Sequence, residues 1–126
     1  MTRINLIPPR ELSDQHLIAE YRELPRVLKQ DINITNAPDR YCLGPGHVKW
    51  AKKHDLFTGF RYFDIVCEMQ CRGFKTRDYD EALCVYNKDY DPDEQDIETN
   101  RARLREKYHQ KPEWYRWTNR TKPAWL

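Results

Sequence analysis

One stretch of the 126-residue chain decides the fold: Asp14-Gln15-His16-Leu17-Ile18-Ala19-Glu20-Tyr21-Arg22-Glu23-Leu24-Pro25-Arg26. Within it and just beyond it, apolar residues recur at the spacing of one helix face, at Leu17, Tyr21, Leu24 and Leu28. The pattern predicts a first helix from about Asp14 to Lys29, with Ser13 as its N-cap. Pro25 has no amide hydrogen to donate, so we expect this helix to bend or loosen beside Glu23.

Charged side chains flank this apolar face. On a helical projection His16, Glu20 and Glu23 share one flank, while Arg22 and Arg26 share the outward face. One interpretation is an acid/base site at Glu23, close to a phosphate that the two guanidinium groups bind. A solvated helix face is the plainer alternative. A metal site is a third, but it would need matching ligands from a second helix, so we predict no bound metal.

Composition favours one small domain that spans residues 1–126. Apolar residues make up 39% of the chain and charged residues 33%, so the aromatic side chains must fill much of a limited core. The four cysteines do not have zinc-module spacing, and we expect them to be buried free thiols. Without a signal peptide or an apolar run long enough for a membrane span, the sequence predicts a soluble cytoplasmic protein.

Charge is distributed unevenly along the chain. Residues 75–98 contain three basic and nine acidic side chains, whereas residues 101–126 contain eight basic and two acidic ones. This split favours a dipolar molecule whose C-terminal side meets a polyanion. The alternative is that the two segments pair with each other.

Two further helices are predicted. Residues 1–11 should be extended, because Pro8-Pro9 forbids a helix, and residues 30–46 should form a loop. The second helix should run from about Asp55 to Arg72, with Gly73 just beyond its end. We expect it to be central because it carries two apolar stripes, Leu56, Phe60, Phe63 and Cys67 on one side and Tyr62, Val66 and Met69 on another.

The third helix should begin in the run Asp91-Pro92-Asp93-Glu94, with Asp91 as the cap and Pro92 at N1, and end near His109. Its inward side chains should be Ile97, Leu104 and Tyr108. Residues 75–90 read as an irregular loop. The predicted fold class is therefore all-α, a single compact domain of three helices with long ordered loops and an aromatic, basic C-terminal tail.

Several runs of the sequence carry a resemblance to a known family. They are Met1-Thr2-Arg3-Ile4-Asn5-Leu6, Glu11-Leu12, residues 14–27, Gly46-His47-Val48, Arg72-Gly73-Phe74, Ala102-Arg103-Leu104, Glu106-Lys107, Gln110, Pro112 and Trp114-Tyr115-Arg116-Trp117. In this order they resemble the pyrimidine-dimer DNA glycosylases of bacteriophages, the endonuclease V type, which combine glycosylase and AP lyase activities. The resemblance fails over about residues 29–43 and 75–99. It implies an all-α DNA repair enzyme that acts, without a cofactor, on double-stranded DNA containing cyclobutane pyrimidine dimers or abasic sites.

The resemblance also implies the catalytic residues. Removal of Met1 leaves an α-amine on Thr2 with a reference pKa near 7.7–8, so that about a tenth or more of it is neutral at pH 7. In the family this amine attacks C1′ of the damaged nucleotide, displaces the base and forms an imine, and β-elimination then cuts the strand. Glu23 would be the carboxylate that stabilises cationic character at C1′ and moves protons.

The remaining expected site residues contact DNA. The resemblance places Arg22 and Arg26 at phosphates near the lesion, and Arg103 and Lys107 at positions that hold DNA. Arg3, beside the nucleophile Thr2, is expected to contact phosphate in the same way. For Arg103 and Lys107 the alternative is ordinary flanking of an apolar stripe by long side chains. His16 is expected either to orient a carboxylate, to contact DNA or to make a structural hydrogen bond. Trp114, Tyr115, Arg116 and Trp117 suit a surface that stacks on nucleic acid, or aromatic packing across helix ends.

One segment departs from the family, and two rival functions remain. Residues 29–43 are shorter and less basic than in the best-known members, which predicts a shallower salt dependence of DNA binding. The family flips out an adenine opposite the lesion, so a pocket for that base should lie near the first helix. The rivals are a glycosylase/lyase for another damaged base and a DNA-binding module without catalysis. Nothing in the sequence requires more than a monomer.

Overall fold

The chain folds into helices joined by ordered segments. The structure, a computed structural model, describes residues 3–77 and 84–126. These residues form four α-helices and two 3₁₀ turns, and no strand is found among them: α1 is Asp14–Lys29, α2 is His47–Lys53, α3 is Asp55–Cys71, α4 is Glu94–Gln110, and the turns are Pro9–Glu11 and Pro112–Trp114. The all-α prediction is confirmed. The predicted second and third helices are α3 and α4, and α2 was not predicted.

Helix α1 has the predicted bounds. Its N-cap is Ser13, whose side chain accepts a hydrogen bond from the His16 amide at 3.1 Å. Leu17, Leu24 and Leu28 are at most 2% exposed, as their spacing predicts. The helix continues through Pro25 to Lys29, because the face that it buries against α3 stabilises it on both sides of the proline. Helix α1 is therefore the scaffold for the charged flank.

Helix α2 was missed because its start has no side-chain signal. Gly46 is its N-cap at φ 90°, a left-handed conformation that suits glycine, and no side chain caps the helix. The seven residues of α2 are also too few for a clear period. Trp50 and Ala51 are nonetheless fully buried in the core, and Lys52 Nζ donates to the Leu28 carbonyl at the end of α1. Tertiary contacts therefore define α2.

Neighbouring elements cover helix α3 on one side, whereas the sequence predicted that they cover it on two. Tyr62, Val66 and Met69 are buried, as predicted for one apolar stripe. The prediction for the other stripe is wrong, since Phe60 is 61% exposed, Phe63 is 50% exposed and Cys67 is also exposed. The neighbours of α3 cover one side, and the opposite side faces outward. The predicted end is confirmed: Gly73 has φ 81°, and the Phe74 amide donates to the Met69 carbonyl in a Schellman arrangement.

Helix α4 begins two residues later than its sequence signal suggests. Asp93, rather than Asp91, is the N-cap, and it forms a capping box with Asp96. The prediction of Pro92 at N1 is thus wrong. The Asp93 side chain accepts from the Asp96 amide and the Asp96 side chain accepts from the Asp93 amide, so the helix begins at Glu94. Leu104 is buried as predicted, and Asn100, which no periodicity argument selected, is completely buried.

The amino-terminal arm, defined as residues 3–7, lies along α1. Asn5 Nδ2 donates to Glu20 Oε1 at 2.8 Å, and Asn100 Nδ2 donates to Asn5 Oδ1 at 2.8 Å. Asn100 Oδ1 in turn accepts from the Leu6 amide at 2.7 Å. Buried side-chain amides thus replace the backbone partners that an isolated extended segment lacks. The predicted lack of a helix holds for residues 3–8, but Pro9–Glu11 form a 3₁₀ turn, so the prediction for residues 1–11 is wrong there.

The C-terminal tail, residues 111–126, packs across the start of α1. The Arg116 carbonyl accepts from the Asp14 amide at 2.7 Å, and Trp117 Nε1 donates to the Glu11 carbonyl at 3.0 Å. Tyr115 stacks on His16 at 4.8 Å. The acidic and basic segments of the chain pair with each other through one ion pair among the described residues, Arg105 to Glu98. The alternative of mutual neutralisation therefore has little support in this part of the chain.

The cysteines differ from the prediction in their exposure. The four cysteines are free, but the expectation of burial is wrong, since Cys67 and Cys71 are exposed and Cys42 and Cys84 are half-buried. Cys67 and Cys71 lie on the outward side of α3, which explains their exposure.

In the described part of the chain, no helix has the length and apolar character that a membrane crossing would require.

Candidate active site on the first helix

Glu23 stands at the edge of a cavity on the outer side of α1. Its side chain is 24% exposed, and Oε1 lies 3.5 Å from Arg26 Nη1. The cavity has a volume of about 590 Å³ and is lined by Tyr21, Arg22, Glu23, Pro25, Arg26, Lys29, Tyr62 and Arg77. Four of these side chains are cationic and one is anionic. The cavity is therefore a positively charged recess with one carboxylate at its wall.

Glu20 and Glu23 share a helix flank but have opposite environments. The Glu20 side chain is completely buried and accepts from Arg61 Nε at 2.7 Å and Arg61 Nη2 at 3.1 Å. With Asn5 as a further donor, both Glu20 oxygens are occupied. Glu20 is thus a structural anchor in a desolvated ion pair, and Glu23 is the carboxylate on this flank that a ligand can reach.

A second group of cations lies where α4 meets the amino-terminal arm and the start of α1. The positive charge of Arg103 lowers the pKa of Arg3, an effect second to that of burial, so these two guanidiniums are neighbours. The positive charges of Lys107 and Arg103 also lower the pKa of His16, an effect second to that of burial. The structure thereby brings together four of the predicted residues, from three segments of the chain. Clustered cations of one sign are stable at a surface when solvent or an anion neutralises them.

His16 is half-buried beside these cations. Burial lowers its pKa from 6.5 to about 4, and the positive charges of Lys107 and Arg103 act in the same direction. Its Nδ1 lies 3.0 Å from Ser13 Oγ, and its ring stacks on Tyr115 at an interplanar angle of 15°. Among the three expectations for His16, the structural hydrogen bond is the one observed. Contact with DNA stays a prediction.

The four aromatic and basic tail residues divide into two pairs. Trp114 is 54% exposed with Lys111 Nζ 4.8 Å from its ring centre, and Arg116 is exposed as well. Tyr115 and Trp117 are half-buried and both pack against Tyr108 of α4, with ring centres 6.0 Å apart in each case. Aromatic packing across helix ends is thus confirmed for Tyr115 and Trp117, and Trp114 and Arg116 are presented to solvent.

Two other expectations concern the amine of Thr2 and a bound metal ion. Thr2 lies outside the described residues, so the structure gives no position for its amine. The described residues contain no group of three or more His, Cys, Asp or Glu side chains that would suit a metal ion. In particular, the Glu20 of the His16-Glu20-Glu23 flank is committed to Arg61 and Asn5.

The residues that position this site were not apparent in the sequence. They are Asn5, Tyr41, His47, Arg61 and Asn100, all buried polar side chains that bond the amino-terminal arm or Glu20. Partners up to 95 positions apart along the chain leave no local spacing to read. The sequence offered one signal, the presence of charged and amide residues within apolar segments. Such side chains are rarely buried without a hydrogen-bond or charge partner.

The fold and the site together define a class of protein. A small helical protein that surrounds one accessible carboxylate with cations is suited to chemistry on an anionic polymer. A comparison with protein families makes the assignment specific: the sequence model of the pyrimidine dimer DNA glycosylases matches residues 1–82. The chain belongs to the pyrimidine dimer DNA glycosylase family. It is therefore a DNA repair glycosylase, and the matched range contains α1 with Glu23, Arg22 and Arg26.

Proposed function

We propose that this protein is a pyrimidine-dimer DNA glycosylase with AP lyase activity that acts through the α-amine of Thr2. The observation that carries the proposal is the placement of the amino-terminal arm. Residues 3–7 are fixed along α1 by buried hydrogen bonds, and Asn5 reaches Glu20, one helical turn from Glu23. An arm held in this way supports a Thr2 amine within reach of Glu23, the accessible carboxylate.

The proposed reaction has two stages. In the first, the neutral amine of Thr2 attacks C1′, the bond from C1′ to the base breaks with its electron pair going to the base, and the base takes up a proton. The sugar ring then opens as the C1′–O4′ bond breaks and O4′ is protonated, which gives the imine. Glu23, an anion beside the sugar, stabilises cationic character at C1′ and shuttles these protons.

The second stage cuts the strand. The imine acidifies C2′, and a base removes one C2′ proton. The electron pair of that C–H bond forms a C2′–C3′ double bond as the C3′–O3′ bond breaks, and the phosphate leaves with O3′. Water then hydrolyses the imine and releases the amine. Glu23 is the accessible carboxylate that can take the C2′ proton, since the Glu20 oxygens are occupied. No cofactor is required for either stage.

Two basic surfaces would hold the DNA on either side of this centre. The first is the cavity wall with Arg22 and Arg26, and the second is formed by Arg3, Arg103 and Lys107. Arginine forks suit phosphate oxygens, and exposed Trp114 offers a stacking surface beyond the second group. The nucleic acid would thus be held along α1, from the region of His16 to Arg26.

The cavity beside Glu23 is suited to an extrahelical base. A volume of about 590 Å³ accommodates a nucleobase, and Tyr21 and Tyr62 contribute aromatic surface to its walls. In this protein the opposing adenine would enter that recess while Arg22 and Arg26 hold the backbone. A fluorescent adenine analogue opposite the lesion would report the event as a rise in fluorescence on binding, and an unchanged signal would contradict it.

The lesion is tested by comparing damaged duplexes. Duplexes of one sequence that carry a cyclobutane dimer, an oxidised purine, an alkylated purine or an abasic site are incubated with the protein, and strand cleavage is measured. Cleavage of the dimer and abasic duplexes alone is expected. Preferential cleavage of an oxidised or alkylated duplex would assign the protein to another lesion, and binding without any cleavage would make it a non-catalytic module.

A further inference from the structure

Ile4, in the amino-terminal arm, is held by two side chains from another part of the chain. Its amide donates to His47 Nε2 at 2.8 Å, and its carbonyl accepts from the Tyr41 hydroxyl at 2.8 Å. Ile4 itself is 0% exposed, so water does not compete for either group. The place of the arm at this residue therefore depends on His47 and Tyr41 and not on a helix or a strand.

The hydrogen bonds define the charge state of His47. Its Nδ1 lies 2.7 Å from the Cys42 carbonyl oxygen, which can only accept, so Nδ1 carries the ring proton. Nε2 then has a free lone pair for the Ile4 amide. A proton on Nε2 would place two N–H groups against each other, so the bond to Ile4 exists only with a neutral imidazole.

The surroundings favour this neutral form. His47 is 3% exposed, between the edge of Tyr41 at 5.6 Å and the face of Trp50 at 6.1 Å. Burial lowers the pKa of His47, the Cys42 carbonyl raises it, Arg3 of the arm lowers it and Glu20 of α1 raises it. The influence of Glu20 is limited because Arg61 of α3 neutralises it, and Arg103 of α4 adds positive charge beside Arg3.

We propose that neutral His47 is a positioning residue for the reacting amine and that its protonation releases the arm. The inference rests on the proposed function, because the position of the arm matters for catalysis only if Thr2 reacts. Ile4 is two residues from Thr2, a span of at most about 7 Å. Fixing Ile4 restricts the volume that the amine samples, which places it for attack on C1′.

This role predicts a specific separation of kinetic effects. His47 is 3% exposed and therefore does not itself meet DNA, so its loss should slow the chemical step without weakening DNA binding. Acid should act in the same way, in addition to the ordinary protonation of the amine. Wild-type activity should therefore fall more steeply with decreasing pH than activity in a variant whose residue 47 does not titrate.

Two variants separate positioning from folding. His47→Gln keeps an acceptor near the place of Nε2 and removes the titration, and His47→Phe keeps a ring without an acceptor. Single-turnover cleavage of an abasic duplex and its dissociation constant are measured for both and for the wild type. We expect at least a tenfold loss of the chemical rate in His47→Phe (about 1.4 kcal/mol), an unchanged dissociation constant, and recovery with a shallower acid limb in His47→Gln.

A measurement on the wild-type protein makes the test independent of whether the variants fold. The scalar coupling between the Ile4 amide nitrogen and His47 Nε2 across their hydrogen bond is followed by NMR as the pH is lowered. Loss of the coupling together with the cleavage rate supports the inference. Protonation of the amine alone lowers the rate by at most about tenfold per pH unit. Persistence of the coupling where the rate falls more steeply than that, or a folded His47→Phe with the wild-type rate, would overturn the inference. A wild-type protein that forms no borohydride-trapped adduct on abasic DNA would instead contradict the proposed function.

Discussion

Two glutamates three positions apart on α1 show how burial separates roles that the sequence leaves alike. Both lie on one flank of the helix, and their spacing alone gives no reason to prefer one. The structure places Glu20 in a buried pair with Arg61 and leaves Glu23 accessible at the cavity wall. The sequence pointed to Glu23 through Pro25 and the arginines of the outward face, and the family resemblance selects the same residue. Its accessibility at the cavity wall is consistent with that choice.

Replacing Glu23 tests its role directly. Glu23→Gln keeps the size and removes the charge, so the variant should bind dimer-containing DNA normally and lose about 10²- to 10⁴-fold in cleavage rate. Binding is measured by fluorescence anisotropy and cleavage by single-turnover kinetics. Glu94→Gln, at the exposed start of α4, is the matched control and should retain wild-type cleavage. Normal cleavage by Glu23→Gln would remove Glu23 from the mechanism.

His16 should make the protein sensitive to acid. Its pKa is about 4 in the folded protein and near 6.5 in the unfolded chain, so the unfolded chain binds the proton first as the pH falls. The contribution of His16 to stability is therefore complete above pH 6.5 and is lost as the pH falls towards 4. Urea unfolding of wild type and His16→Asn should show a difference in free energy of unfolding that shrinks over this window.

The control for that experiment is the exposed His109. His109→Asn should leave the pH dependence of stability as it is in the wild type. If His16→Asn and His109→Asn have the same pH dependence, the stacked and capped position of His16 does not control its titration.

At the scale of elements, one buried polar network joins the amino-terminal arm, α1, α3 and α4. Arg61 of α3 donates to Glu20 and to the Ile7 carbonyl, and Asn100 of α4 bonds the Leu6 amide and Asn5. A buried pair of charges is costly unless every group has a partner. This network therefore favours a single position of the arm over the many that an extended segment can adopt.

Removing only Arg61 from the buried pair with Glu20 should lower the free energy of unfolding far more than replacing both charged residues. Arg61→Met leaves Glu20 buried without its cation and should cost about 3–5 kcal/mol of folding free energy. The double variant Glu20→Met/Arg61→Met should recover part of this loss. Arg105→Met, which breaks the exposed pair with Glu98, should cost at most about 1 kcal/mol. Equal losses for Arg61→Met and Arg105→Met in denaturant unfolding would show that the buried pair has no special role.

The elements show where sequence patterns succeed. Helix α1 could be predicted to the residue because cap, apolar period and length agree, and the end of α3 could be predicted because Gly73 takes a positive φ. Helix α2 could not, since it begins at an uncapped glycine and is stabilised by the burial of Trp50. The outward Phe60 and Phe63 show that an apolar stripe indicates a buried face only when a neighbour exists to cover it.

On the scale of the whole molecule, distant segments assemble two groups of cations along α1. Arg3, Arg103 and Lys107 meet near the start of α1, and Arg22 and Arg26 lie further along the same helix. The uneven charge of the sequence predicted a basic side, and the resemblance predicted its members. Their convergence depends on how α4 and the arm pack, which no local pattern contains. The wider DNA-contact set stays a prediction.

Salt dependence measures how many of these cations meet phosphates. Arg22→Gln and Arg26→Gln should each lower the slope of log affinity against log salt by about 0.9, with weakened binding to damaged and undamaged duplexes alike. Arg105→Gln, whose partner is Glu98, should leave the slope as in the wild type. Unchanged slopes in both α1 variants would show that these arginines do not contact phosphates.

The central claim is that the amine of Thr2 forms the imine, and the most direct measurement locates the covalent bond. The protein is mixed with abasic duplex and borohydride, the adduct is digested, and the DNA-bearing peptide is identified by mass spectrometry. We expect the DNA to be attached to the peptide that begins at Thr2, and blocking the terminal amine by mild carbamylation should abolish trapping. An adduct on a lysine, or normal trapping by the blocked protein, would contradict it.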